Sequence, residues 1–346
     1  MKMCNKLYIF FIILMLSSCT IKNSDIPVEA VYEKESQHLS LKDKNGNVYY
    51  FNSISNIFCY SSDTLIIIPE KDNKLFVTNN KLTIYDVHDL NEYGHILRQP
   101  TYGWALFGKD LFFHDITLRI KKYNIITRKM EVLKYSNIGN KELSVGSNNI
   151  FVGTENYIQK AGEKEKGNIL CVGYISKEND IKGIPLLVKY KDYGPIEYIK
   201  AETAYSSIFY DRIYVIFVIS NKVLLYDLNG NYITTKELCV SDEYYKKPEI
   251  EYKNGKATYN ITGLTMMPLQ QYEGYLSHLM MEKDGSDVSL VLYDKEIIPQ
   301  KRILLKNTNR PNGTYLCKHW YCNGFLYLTS GFNGITIYKR QANDKK

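Results

Sequence analysis

Five short stretches of the chain close in the same way. "LTIYD" (82–86), "IKKYN" (120–124), "VLLYD" (223–227), "LVLYD" (290–294) and "ITIYK" (335–339) are strand-like runs that end in tyrosine followed by Asp, Asn or Lys. "NILCVGY" (168–174) supplies a sixth tyrosine, so that Tyr85, Tyr123, Tyr174, Tyr226, Tyr293 and Tyr338 recur at spacings of 38, 51, 52, 67 and 45 residues. This period constrains the chain more than its composition does. A unit of about 20–50 residues cannot bury its apolar face alone and must stack on neighbours.

Each tyrosine-ending strand follows another strand across a polar turn, as in "DRIYVIFVISNKVLLYD" (211–227). A shorter apolar segment precedes the pair: "NIFCY" (56–60), "GWALF" (103–107), "ELSVG" (142–146), "SSIFY" (206–210) and "YLCKHWY" (315–321). Another follows it, as in "MEVLK" (130–134), "NYITTKEL" (231–238) and "KRILLK" (301–306). Four strands in about 40–50 residues are the proportions of a propeller blade. The last unit runs out of chain after Tyr338, and an open edge there would invite aggregation. Residues 38–52, "HLSLKDKNGNVYYFN", read as the strand that pairs with it. The expected fold is all-β, a six-bladed β-propeller of four-stranded antiparallel blades, its ring closed by an N-terminal strand. Tyrosine is abundant at 31 residues and proline scarce at 9, a composition that favours half-buried strands.

Ahead of the units, Lys2 and Lys6 accompany the ten-residue apolar run "LYIFFIILML" (7–16). That run is too short to span the hydrocarbon core, which takes about 20 residues, and has the length of a signal-peptide core. Leu16-Ser17-Ser18-Cys19 then has the form of a lipobox. Small residues admit the peptidase, and the Cys19 thiol takes the lipid. The expected organisation is a lipoprotein signal peptide over 1–18, a tether over 19–37, the propeller over 38–340 and a polar tail over 341–346. Two or more acyl chains anchor stably, so the expected address is the bacterial outer membrane.

Together these motifs resemble the six-bladed β-propeller lipoproteins common in Bacteroidetes, similar in shape to NHL and TolB-like propellers. The resemblance covers roughly residues 39–339. It implies architecture and address, since that family has no common activity. The "GxGPGEY" loop of the family is reduced here to Gly194-Pro195 and Glu197-Tyr198.

After Cys4 and Cys19, the remaining cysteines are Cys59, Cys171, Cys239, Cys317 and Cys322, an odd and widely spaced set. "CKHWYC" (317–322) admits a metal site, a Cys317–Cys322 disulfide or buried thiols; on a strand the two sulfurs point to opposite faces, and buried thiols are expected. The histidines, His38, His88, His95, His114, His278 and His319, are scattered and expected in solvated or core positions. Inner-strand carboxylates are too few for a metal-dependent lactonase, since Ca²⁺ takes six to eight oxygens. "DGSDVSL" (284–290) reads as a polar hairpin turn. No catalytic residue, cofactor or metal is expected, and the scattered charge, +7 overall, gives no nucleic-acid footprint.

Two insertions, 154–168 and 239–274, are expected to open on one face, where repeat proteins place binding. Tyr102, Trp104, Tyr244, Tyr245, Tyr272 and Trp320 are the aromatics expected nearest that face. The expected function is that of a lipid-anchored binding or scaffold protein engaging a protein, peptide or glycan. The alternative is an envelope glycan hydrolase or lyase, which would need two carboxylates close together.

Overall fold

A computed structural model describes residues 26–341 apart from 52, 71, 91–102, 115–118, 137–142, 147–149, 158–166, 175–181, 187–203, 218–220, 240–248, 254–255, 261–267, 282–287, 307–316 and 331–333. Strand β1 (Val28–His38) comes first, then the short hairpin β2 (Ser40–Asp43) and β3 (Val48–Tyr50). A meander follows: β4 (Ile54–Cys59), β5 (Thr64–Pro69), β6 (Lys74–Asn79) and β7 (Thr83–Asp89). The second meander is β8 (Trp104–Phe107), β9 (Asp110–His114), β10 (Arg119–Asn124) and β11 (Met130–Ser136). The third is β12 (Leu143–Val145), β13 (Ile150–Tyr157), β14 (Gly167–Tyr174) and β15 (Lys182–Leu186). The fourth is β16 (Ala204–Phe209), β17 (Arg212–Phe217), β18 (Lys222–Asp227) and β19 (Tyr232–Glu237).

A separate hairpin, β20 (Glu249–Lys253) with β21 (Lys256–Asn260), interrupts the series. The fifth meander is β22 (Gln270–Tyr272), β23 (Tyr275–Met281), β24 (Val288–Tyr293) and β25 (Pro299–Leu305). The last holds β26 (Cys317–Cys322), β27 (Phe325–Ser330) and β28 (Ile335–Arg340). All described regular structure is strand apart from a single-residue turn of tighter helix at Leu90.

The last meander is completed by β1, antiparallel to β28 from Tyr32↔Arg340 to His38↔Ile335. Its first residues also run parallel to β25, Val28↔Arg302 to Tyr32↔Leu305. The strand read from the sequence as doing this, residues 38–52, does something else. Asp43 accepts the backbone N–H groups of Asn45 and Asn47, and Gly46 adopts φ +85°. "DKNGN" is therefore a tight turn, and the stretch folds on itself as β2–β3 at the outer edge of the first meander. The partner of β28 lies inside the segment read as tether, with Ala30 and Tyr32 buried as alternate residues. Gly334 fits the contact, because a Cβ there would collide with the His38 carbonyl.

The repeated strand end has a physical cause. Asp227 accepts the N–H groups of Asn229 and Asn231, and Asp294 those of Glu296 and Ile298. Asn79 does the same for Lys81 and Thr83, and Asn124 for Ile126 and Thr127. A short Asp or Asn side chain nucleates the turn into the outer strand. The tyrosine before it is buried at Tyr123, Tyr226 and Tyr293, and Tyr338, which precedes Lys339, is buried as well. Tyr85 is the exception at 45% exposure, since "LTIYD" forms the outer strand β7 and not the third strand. The third strand of the first meander is "KLFVTN", where Thr78 holds the place of Tyr226 and Tyr293, each beside a register shift.

Candidate functional site

In every meander the first strand lies at a sheet end: β4, β8, β12, β16, β22 and β26. Residues of all these strands line one cavity of about 380 Å³. Such a strand presents unpaired backbone groups along one edge. Here side chains from neighbouring meanders cover them. Asn56 is the hub: its Nδ2 donates to the Trp104 carbonyl at 3.5 Å, and its Oδ1 accepts from Trp320 Nε1 at 3.0 Å. Lys318 Nζ donates to the Ser55 carbonyl at 3.3 Å. Ser144 Oγ accepts the Ile208 N–H at 3.0 Å, and Ser207 Oγ donates to the Leu269 carbonyl at 3.5 Å.

Ser277 Oγ meets the Gln270 carbonyl at 3.0 Å and His319 Nε2 at 2.9 Å. A hydroxyl has one proton, which goes to the carbonyl, so His319 Nε2 carries its own and the ring is the neutral Nε2–H tautomer. Burial lowers the pKa of His319 to about 3, with His278 nearby adding to the effect, and that of His278 to about 4. His278 Nδ1 and Ser206 Oγ are buried with no hydrogen-bond partner among the described residues. Glu70 is the one carboxylate among the described lining residues, and Lys318 the one ammonium.

A disulfide joins Cys59, at the end of β4, to Cys322, at the end of β26, across 263 residues with Cα atoms 5.5 Å apart. This overturns the expectation of buried thiols at Cys322. Cys171, buried, and Cys239, half-buried, lie outside this bridge as thiols. Around the bridge, Asn323 Nδ2 donates to the Ser61 carbonyl and to Asn80 Oδ1, and Tyr327 OH to the Asn80 carbonyl. The first and last meanders thus meet along a stapled seam.

The expected aromatics divide. Trp104 and Trp320 line the cavity but are each only 5% exposed, Trp104 stacked on Phe113 at 4.5 Å between centroids. Tyr272 is buried, its hydroxyl 2.7 Å from that of Tyr32 on β1. The two tryptophans are cavity walls and Tyr272 is a core residue; none of the three is an exposed rim. Tyr102, Tyr244, Tyr245 and His95 lie outside the described residues, as do 158–166 of the first insertion and 240–248, 254–255 and 261–267 of the second. The 239–274 insertion contains the hairpin β20–β21 and ends in β22, the cavity-lining strand of the fifth meander. Three polar residues, "QQY", gave that strand no apolar signal. His88 is a core residue, placed between Tyr123 OH at 2.8 Å and Asp86 at 2.9 Å, and burial lowers its pKa.

Four-stranded meanders arranged around a common cavity define a β-propeller. No protein-family model and no curated protein matches the sequence. Among solved structures, the computationally designed protein Ika8 is similar at 11% identity and TM-score 0.43, over 90% of this chain and 99% of its own. A catalytically inactive virginiamycin B lyase from Staphylococcus aureus, solved with quinupristin, shows 11% identity and TM-score 0.46 over 87% of each chain. BamB from Moraxella catarrhalis shows 12% identity and TM-score 0.39 over 85% of this chain and 87% of its own. The lyase and BamB are β-propeller proteins.

Proposed function

We propose that the chain is a lipid-anchored binding or scaffold module of the bacterial outer membrane, held through Cys19. On this reading the propeller has six blades, and β1 closes the ring as the outer strand of the sixth. A protein, peptide or glycan is engaged through the insertions, with Tyr244 and Tyr245 preceding the β20–β21 hairpin as contact residues. The observation that carries the reading is the use made of the cavity's polar groups. Asn56, Ser144, Ser207 and Lys318 each hold one strand to the next, and His319 does so through Ser277 behind it. Polar side chains spent on holding a ring together make a frame for its loops. The Cys59–Cys322 bridge supports the address, because disulfides persist in oxidising compartments.

Capture from detergent-solubilised membranes tests this, comparing the intact chain with one lacking residues 244–262. A partner retained by the intact chain and lost on deletion, with thermal unfolding unchanged, is the expected result. A partner retained equally by both moves binding away from the insertion.

A further inference from the structure

Ile26 is 2% exposed, packed in one apolar cluster with Leu238, Tyr293 and Ile297. The chain is therefore fixed to the propeller from that residue onward. Pro27 O accepts the Arg302 N–H at 3.0 Å, and Val28 pairs with Arg302. Only the six residues 20–25 separate Ile26 from Cys19. Fully extended, that leash reaches about 25 Å. A leash this short chooses which part of the propeller faces its anchor.

Exposed apolar side chains lie at the point of entry and on the outer strand of the adjoining meander. Val28 is 45% exposed, and Ile298, in the turn from β24 to β25, 46%. Tyr232 and Ile233, at the start of β19, are 58% and 44% exposed. β19 is the outermost strand of its sheet, with one edge unpaired. The two elements belong to adjoining meanders that are held together. Arg212 pairs with Glu296 at 2.7 Å and Tyr214 OH donates to the Lys295 carbonyl at 2.9 Å, clamping the β24–β25 turn onto the fourth meander. Scattered exposed apolar residues are ordinary. Val28 and Ile298 stand where a leash of about 25 Å enters, and Tyr232 with Ile233, on the outer strand of the adjoining meander, add a tyrosine and an aliphatic side chain suited to the headgroup boundary.

We propose that this rim, formed by β19, the β24–β25 turn and the start of β1, rests on the lipid surface that holds Cys19. The inference depends on the reading of Cys19 as lipid acceptor. The propeller then stands on its edge, and the far rim, including the β10–β11 turn, points away from the membrane.

The test uses the full lipoprotein, reconstituted into phosphatidylethanolamine–phosphatidylglycerol vesicles that carry a headgroup-nitroxide lipid. Ile298→Trp and Ile126→Trp report on matching turns in the fifth and second meanders. Ile126 is 57% exposed, and the native Trp104 and Trp320 give a constant buried background. Ile298→Trp should be quenched about twofold more than Ile126→Trp, as contact at the headgroup boundary requires. A Gly/Ser insertion of about 20 residues after Asn23, long enough to free the leash, should erase the difference. Equal quenching of both variants, with an acyl chain on Cys19 confirmed by mass spectrometry, overturns the footing and leaves the anchor standing. No acyl chain on Cys19 overturns both. A dimer in detergent that Ile233→Lys abolishes would assign the rim to a second copy and also overturn the proposal.

Discussion

Thr78 sits where the fourth and fifth meanders carry Tyr226 and Tyr293. Tyr293 OH finds a partner, accepting the Cys239 N–H at 3.0 Å. Thr78 Oγ1 is too short to reach out, is fully buried, and has no hydrogen-bond partner among the described residues. Thr78→Val keeps the shape and removes the buried hydroxyl, so it should stabilise the fold by about 1 kcal/mol; an unchanged or lower urea midpoint would refute this. His278 and His319 carry the largest part of the pH dependence, and burial shifts His38 and His88 in the same direction. The first two are neutral when folded, with pKa values lowered to about 4 and about 3, and titrate near 6.5 when unfolded. As pH falls below 6.5 the unfolded chain binds protons that the folded chain refuses. Stability is therefore complete above pH 6.5 and is lost towards pH 4, by about 2 kcal/mol per histidine at pH 5. Denaturant titrations at pH 8 and pH 5 measure it, and His319→Gln should remove roughly half the difference.

At the scale of strands, legibility tracks apolar length. The segments around β4, β8, β12, β16 and β26 were readable as inner strands because each carries an aromatic or aliphatic pair. β22 was not, being three residues long and largely polar. β1 was missed for another reason: "VEAVYEKESQH" buries only Ala30 and Tyr32 deeply, and its charged face resembles a tether. Tyrosine was a good marker of the third strand in five meanders and a false one at Tyr85. The turn-forming Asp or Asn is the feature that marks the strand end, and Asn79 satisfies it in the first meander without a tyrosine. The cavity's hydrogen bonds were not legible at all. Asn56, Ser144 and Ser277 join strands far apart in sequence, and pairing of that kind leaves no local pattern.

For the molecule as a whole, the seam between the first and last meanders is where a closed arrangement opens first. The Cys59–Cys322 bridge restrains a loop of 263 residues in the unfolded chain, and removing such a bridge typically costs about 2–5 kcal/mol. Cys59→Ser should lower the midpoint of thermal unfolding by about 5 °C and should leave the far-ultraviolet circular dichroism unchanged. A midpoint that stays put would mean that the seam's hydrogen bonds suffice. The separation also imposes an order of events. In a chain made from its N-terminus, Cys59 appears long before Cys322, and Cys171, Cys239 and Cys317 appear in between. Cys171 ends up buried and Cys239 partly so. Correct pairing therefore relies on the intervening sheets sequestering Cys171 and Cys239 before the last strand arrives, and on β26 carrying Cys317 at the opposite end from Cys322, so that the fold itself selects the partner of Cys59.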